Sequence, residues 1–371
     1  MIRAHKIRLN PTPEQELYFR KAAGTKRFAF NWALAQWIEA KKNGVKECGV
    51  MALKKRFNSV KGELFPWVYE VAKDVCEGAF QDLGAALKNR FDSKSKARKD
   101  EAVGFPKFKS KHKSKMSFRL NNDKFWVDRN TIHIPKLGKV NMSEALRFTG
   151  KIMGAVVSKV ADWWFVAIQV EVEQPEKITF KRESIGVDVG IKLLAMLSDG
   201  SEFENQKPLR SQQSCLRKLN RSLSRRKQGS NRWYKAKRKL GRFHYKVDCK
   251  RKDAHHKASH EIAQSAALIG VEDLHVKGML RNRKLSLSMS DAGLGDLLWQ
   301  IEYKSLAIGG KVVRVGRFFA SSKTCSNCGH INQELTLKDR TWVCLGCGTI
   351  RERDWNAAIN IEQEALRLAY A

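Results

Sequence analysis

Residues 321–361 read SSKTCSNCGHINQELTLKDRTWVCLGCGTIRERDWNAAINI, and this stretch decides the fold. It holds two Cys-x-x-Cys knuckles, Cys325/Cys328 and Cys344/Cys347, with 15 residues between them. Four thiolates at that spacing match one tetrahedral zinc ion. Gly329 and Gly348 follow the two knuckles and permit the tight turns that aim the sulfurs at a common point. Four protein ligands leave no open position, so the zinc is expected to be structural and not the catalyst. A redox dithiol is the competing use of such a motif.

Seven residues beyond Cys347 stands an acid, Asp354, at the start of the last helical pattern. Two further acids stand upstream in comparable settings. Asp188 follows the alternating Ile185 and Val187 in IGVDVG, and Glu272 ends the apolar run ALIGVE. Each alone reads as readily as a strand-end ion pair or, for Asp354, a favourable charge at a helix N-terminus. Taken in order, two strand-end carboxylates and one from a helix packed on the same sheet can converge on a pair of divalent cations. Such a pair, about 4 Å apart, activates water and stabilises the leaving oxygen of a phosphodiester. Asp273 is expected to face away from Glu272's side of its strand, and Asp199 to belong to a turn.

The composition says what such a site would act on. The chain has 371 residues, with 71 Lys and Arg against 38 Asp and Glu, for a formal charge of +33. Its 42% hydrophobic content supplies real cores and excludes wholesale disorder. No apolar stretch approaches the roughly 18–20 residues of a membrane span, and MIRAHKIRLN has no signal-peptide core. A chain this basic calls for a polyanion, and nucleic acid is the usual one. The charge peaks between Lys207 and Lys252, where 18 Lys and Arg meet a single acid, Asp248, with Leu216, Leu219, Leu223, Trp233, Tyr234, Leu240 and Phe243 interleaved. Phosphate contacts are expected from Arg217, Lys218, Arg221, Arg225, Arg226, Lys227, Arg232, Lys235, Lys237, Arg238, Lys239 and Arg242. The remaining cysteines, Cys48, Cys76, Cys215 and Cys249, are scattered and suggest no disulfide framework.

Along the chain, residues 3–9 read as a strand with His5, Ile7 and Leu9 on one face. Pro13, Glu14 and Glu16 open a helical region reaching about residue 90, broken at Phe65-Pro66-Trp67. Residues 92–115 read as a basic linker or surface loop. Residues 116–180 turn to strands, with a hairpin pivoting at Ala161-Asp162. Residues 184–205 suggest one hairpin turning at Asp199-Gly200. Two helices are expected across 207–252, separated near Gln228-Gly229-Ser230, then a strand ending at Glu272, a helix over about 291–306 and a strand in KVVRVGRFF. His255 and His256 are expected to be surface or nucleic-acid contacts. His260-Glu261 begins a zincin pattern that fails at Gln264, and neither a G-x-S-x-G elbow nor a Walker A loop is present.

At this point the residues resemble a family. SSKTCSNCGH, RTWVCLGCG and RERDWNAAINI look like the signature of TnpB, the insertion-sequence nucleases similar to the ancestors of type V CRISPR effectors. GVDVGIKLLA and GVEDLHVKGM resemble the family's first two RuvC-type motifs, MSDAGLGDLLWQIEYKS the segment before the third, and RAHKIRLNPTPEQ with KRFAFNWAL its opening. Glu352 stands where the family's DRD triplet would have Asp, while Asp354 is intact.

The resemblance implies a multidomain α+β protein. An RNase H-like RuvC nuclease domain (181–322 and the last helix, 352–371) would carry an inserted zinc ribbon (323–351). An oligonucleotide-binding-like wedge β-barrel (1–12 and 112–180) would be interrupted by a helical recognition domain (13–111). It also implies a transposon-encoded guide RNA as partner, and cleavage of double-stranded DNA beside a short target-adjacent motif. Asp188, Glu272 and Asp354 would hold two Mg²⁺, beside one structural Zn²⁺ on the cysteines. The expected state is one protein per RNA, without a membrane, in the cytoplasm and on the nucleoid when DNA-bound. The alternatives are a DDE-like transposase working without a guide, a nuclease-inactive RNA-guided repressor, and a compact CRISPR effector.

Overall fold

The structure is a computed structural model that describes residues 1–44, 49–96, 103–175, 177–336 and 339–371. Cys48 lies outside the described residues. The chain divides into two compact units, Met1–Glu173 and Gln174–Ala371.

The first unit begins with strand β1 (Ile2–Asn10), which buries His5, Ile7 and Leu9 and exposes Lys6 and Arg8, as the alternation requires. Helix α1 (Pro13–Lys42) starts in a capping box: the Thr12 hydroxyl accepts from the Gln15 amide at 3.3 Å, and the Gln15 side chain accepts from the Thr12 amide at 3.0 Å. Helix α2 (Val50–Leu64) ends where Pro66 opens a short 3₁₀ turn, Pro66–Glu70, and α3 (Asp74–Lys96) follows. Strands β2 (Ser117–Asn121), β3 (Trp126–Asp128), β4 (Thr131–Ile134), β5 (Gly138–Met142), β6 (Lys151–Val160) and β7 (Trp163–Glu171) complete an antiparallel sheet ordered β2-β6-β7-β1-β5-β4-β3. No pairing between the end strands β2 and β3 is found among the described residues. The two ends of α1 serve two cores. Phe19 meets Trp164 and Phe118 over the sheet, while Phe30 and Leu34 pack with Phe57, Phe80 and Leu83 of the helices.

One segment departs from expectation. Helix α3 runs on through residues 92–96, so the basic stretch is in part helix, and residues 97–102 lie outside the described residues. Residues 103–115 have no regular structure but are fastened down. The Asn31 side chain both donates to and accepts from the Lys109 backbone, at 2.9 and 2.8 Å, and Arg90 donates to the Val103 carbonyl at 2.7 Å. Two amide bonds to one side chain mimic a strand pairing, which composition does not reveal.

The second unit is built on a five-stranded sheet ordered β10-β9-β8-β11-β12, from β8 (Ser184–Val189), β9 (Leu193–Leu197), β10 (Glu202–Glu204), β11 (Leu268–Glu272) and β12 (Lys311–Val315). Strands β8 to β10 pair antiparallel, and β8, β11 and β12 pair parallel. The single hairpin expected over 184–205 is therefore three strands with two reversals. Asp199-Gly200 turns β9 into β10, and an earlier turn at Gly190, whose amide donates to Leu194 at 3.3 Å, joins β8 to β9. The apolar Ile191 inside that turn hides it from a polarity reading.

Helices α4 (Gln213–Ser224) and α5 (Asn231–Ser265) form the expected basic pair. Short α6 (Val276–Met279) and α7 (Ser286–Ala292) precede α8 (Leu294–Ala307), so the helix expected over 291–306 is split at Gly293, which sits at φ 61°. His255 is a correction: it is 2% exposed, with Nε2 donating to the Ala292 carbonyl at 2.8 Å, whereas His256 is exposed. One face of α5 turns inward here while the next residue points out, so adjacent histidines part company. Ile185, Val187, Ile269 and Val271 pack against Ile262 of α5 and Leu297 and Ile301 of α8. A two-stranded ribbon, β13 (Thr341–Val343) with β14 (Ile350–Glu352), leads directly into the last helix, α9 (Arg353–Tyr370).

Two glycines let α9 reach the opposite face of the sheet. A side chain at Gly186 would strike the Ala358 carbonyl and approach the Glu362 amide to 2.6 Å, and one at Gly270 would meet Ala365 at 2.7 Å. Gly186→Ala is therefore expected to lower stability by about 1–3 kcal/mol. Gly84→Ala in α3, with nothing nearer than 3.9 Å, should cost nothing and serves as the control in parallel denaturation curves.

Candidate active site, cysteine cluster and basic hairpin

The register of β8 and β11 builds the site. Val271 pairs with Val187 and Gly270 with Gly186, so the next residues, Glu272 and Asp188, stand side by side at the ends of parallel strands. Residues two apart on a strand share a face, so both acids lie on the face of Gly186 and Gly270, which α9 covers. Asp354 sits in the first turn of α9, one turn before the Ala358 that rests on Gly186. All three line one cleft of about 390 Å³ together with Lys192, Ser321, Arg340 and Arg353.

The electrostatics are those of crowded like charges. Burial first, then the charges of Glu272 and Asp354, push the Asp188 carboxyl up to about 7, against a smaller opposing pull from Arg353. The Ser321 hydroxyl donates to Glu272 Oε1 at 2.5 Å. Asp354 is held by Arg340 at 3.1 Å and Arg353 at 3.0 Å. The carboxylates are thus neighbours without closing on one point. Among the described residues, the only group of metal-type ligands whose donor atoms all lie within 4.8 Å of one another is the four cysteines. The three acids nonetheless suit hard divalent cations, being oxygen donors whose mutual repulsion is only partly offset.

The cysteines form their own cluster. Sγ of Cys325 lies 3.7 Å from that of Cys347, and Cys328 lies 3.5 Å from Cys344. Tetrahedral zinc with bonds of about 2.3 Å would set the sulfurs roughly 3.8 Å apart, whereas a disulfide needs about 2.05 Å. The arrangement could therefore hold a zinc ion. Gly329 and Gly348 take φ 76° and 68°, the left-handed turns expected of them. The small core around the cluster is Cys325, Leu335, Trp342 and Cys344.

All twelve basic residues singled out from α4, α5 and their connection are exposed. The connection carries Gly229 at φ 86°, and the Ser230 hydroxyl caps α5 by accepting from the Trp233 amide at 3.1 Å. Lys218, Arg221, Arg225 and Arg226 line one shallow cleft near this tip, and Lys237 lies over the Trp233 ring at 4.8 Å. The base of the pair is pinned by a residue that sequence reading passed over. The buried Asp291 carboxylate accepts from the Leu209 and Arg210 amides at 2.9 Å each, and its carbonyl accepts from Arg251 at 2.9 Å. Arg340, Arg353, Ser321, Asn356 and Asn360 were also missed. Of these only the asparagines carried a signal, being polar residues four apart on the buried face of α9.

Comparison with known proteins agrees with this frame. Residues 167–283 match the OrfB_IS605 family, described as "Probable transposase", residues 295–361 match the "Cas12f1-like, TNB domain", and residues 1–46 match a "Helix-turn-helix domain". In this structure residues 1–44 form β1 and the continuous α1. A "Putative RNA-guided DNA endonuclease InsQ" of Escherichia coli K12 is 30% identical, the match covering 97% of this chain and 91% of that protein. A "Putative RNA-guided DNA endonuclease" of Streptomyces pristinaespiralis is 31% identical over 97% of this chain and 88% of its own. In fold, the Cas12f1–sgRNA–target DNA complex matches over 94% of this chain and 82% of that one, with TM-score 0.56 at 17% identity. The two units thus form a multidomain α+β protein with the Cas12f-like architecture. The chain belongs to the TnpB-like family of RNA-guided DNA endonucleases.

Proposed function

We propose that this protein is a transposon-associated RNA-guided endonuclease that cuts double-stranded DNA beside a short target-adjacent motif. The observation that carries the reading is the sharing of one cleft by Asp188, Glu272 and Asp354, brought there by strand register and by α9. The names of relatives matched over most of their length support the guide and the DNA. The strand order, three antiparallel then two parallel, supports an RNase H-like RuvC unit, and the antiparallel sheet with α1 to α3 supports a wedge interrupted by a recognition domain, with the boundaries given above.

In this reading the three acids hold two Mg²⁺, which would lend Lewis-acid charge and a more acidic water to in-line hydrolysis. The protein's own part is to orient and exclude. Arg353 fixes the Asp354 carboxylate, Lys192 and Arg340 bring positive charge to the cleft for phosphate oxygens, and Met279, Leu285, Met289 and Leu294 wall it with apolar surface. The four cysteines would hold one zinc that shapes the ribbon. Guide RNA and DNA phosphates bind the basic hairpin, one protein per RNA. Among the described residues no helix is long and apolar enough to cross a membrane. The bacterial relatives support a cytoplasmic protein that joins the nucleoid through DNA.

Sequencing the RNA that survives a high-salt wash tests this. One dominant species with a folded body and a distinct single-stranded end is the expected result. A random smear, or strand-transfer products in a two-DNA assay, would favour a guide-free transposase. The hairpin makes a separate prediction. Replacing Lys218, Arg221 and Arg225 with alanine together should lower the slope of log affinity against log salt by about 2 to 3. An unchanged slope would place the phosphates elsewhere.

A further inference from the structure

We propose that Ser321 is a positioning residue for the Glu272 carboxylate, held in place by an asparagine clasp from α9. The inference rests on the reading of Glu272 as a ligand for divalent cations and adds to it the group that sets its orientation. Ser321 is 6% exposed, and its hydroxyl donates to Glu272 Oε1 at 2.5 Å. One carboxylate oxygen is thereby tied back, and Oε2 is the oxygen Ser321 leaves for other partners.

The position of that hydroxyl is itself over-determined. Ser321 lies between β12 and the first cysteine knuckle, a connection of turns whose one strand-like contact among the described residues is the isolated bridge of Thr324 to Ile331. Its carbonyl accepts from Asn360 at 2.7 Å, and the Thr324 carbonyl accepts from Asn356 at 2.7 Å and Asn360 at 2.6 Å. Asn356 Oδ1 in turn accepts from the Ser326 amide, next to Cys325, at 2.9 Å. Both amides are buried, at 1% and 3% exposure, on the same face of the helix whose first turn carries Asp354. A buried side-chain amide is costly unless bonded, so these bonds hold the connection to α9. The acid from β11 and the acid from α9 are therefore set relative to each other by the segment that enters the cysteine cluster. The clasp grips the Ser321 backbone, so removing the hydroxyl should leave the fold intact and free only the carboxylate.

The test is Mn²⁺ titration, followed by electron paramagnetic resonance, of the full chain washed free of nucleic acid, with zinc content and melting temperature measured alongside. Loss of such an orienting partner typically weakens metal affinity about 10- to 100-fold. Ser321→Ala is expected to show about a tenfold weaker site at unchanged zinc content and melting temperature, and Ser321→Thr to return it to within about twofold. Glu272→Gln separates the two levels of the argument. If Glu272→Gln weakens binding and Ser321→Ala does not, the positioning role is wrong while the cleft reading stands. If Glu272→Gln binds Mn²⁺ as the unaltered protein does, the cleft reading itself falls. If Ser321→Ala and Ser321→Thr are equally weakened and both melt lower, Ser321 only packs, and the proposal fails.

Discussion

Asp188→Ala is expected to reduce DNA cleavage at least about a thousandfold while leaving RNA and DNA binding within about twofold. Divalent-ion catalysis supplies several kcal/mol of transition-state stabilisation, and each 1.4 kcal/mol is roughly tenfold in rate. Asp188 is flanked by buried valines on a central strand and touches the cleft, while the twelve exposed basic side chains sit on α4, α5 and their connection. Catalysis and affinity should therefore separate. Asp273→Ala is the matched control: that acid adjoins Glu272 but pairs outside the cleft with Arg317 at 2.8 Å, so cleavage should persist. Quantitative cleavage and gel-shift assays on both variants check this. Joint loss of binding and cleavage in Asp188→Ala would remove the assignment.

Removing zinc, by chelation or Cys325→Ser, is expected to unfold the ribbon and abolish cleavage with it. The ribbon core has four buried members, too few to fold without a staple. Structural zinc sites contribute on the order of 10–16 kcal/mol in isolated peptides. The damage should travel to the cleft. The Arg353 amide donates to the Arg340 carbonyl at 2.8 Å, Asn356 grips the knuckle, and both lead into the first turn of α9. Metal analysis should find one zinc per chain in the unaltered protein and none in the variant, with RNA binding through the basic hairpin preserved. A zinc-free variant that melts normally and cuts DNA would contradict a structural role.

Much of this architecture is visible before any coordinates, and the parts that are not share a cause. Strand β1, the break at Pro66, the hairpin turn at Ala161 (φ 56°) and the Gly229 break in the basic region follow from alternation and turn chemistry, which act over a few residues. The three acids stand out because each sits at the edge of a local pattern, Asp188 and Glu272 after apolar strand runs and Asp354 at a helix start. What stayed hidden depends on partners distant in sequence. His255 looks solvated until the end of α7 arrives and the Ala292 carbonyl bonds it. Residues 103–115 look like a loose linker until Asn31 fastens Lys109. Arg340, Arg353 and Ser321 resemble ordinary surface residues of a basic chain until the ribbon folds back on the cleft. The turn at Gly190 failed for a different reason, an apolar residue within it.

Whether a bound RNA chooses where this cleft cuts is decided by changing the RNA. The protein would be co-expressed with its co-purifying RNA after the single-stranded end has been rewritten, then given Mg²⁺ and plasmids matching the old or the new sequence beside a randomised flank. The expected result is cutting of the new target alone, next to one short flanking motif, and no cutting by Asp188→Ala. Cutting that stays at the old sequence, or that ignores the RNA altogether, would contradict it.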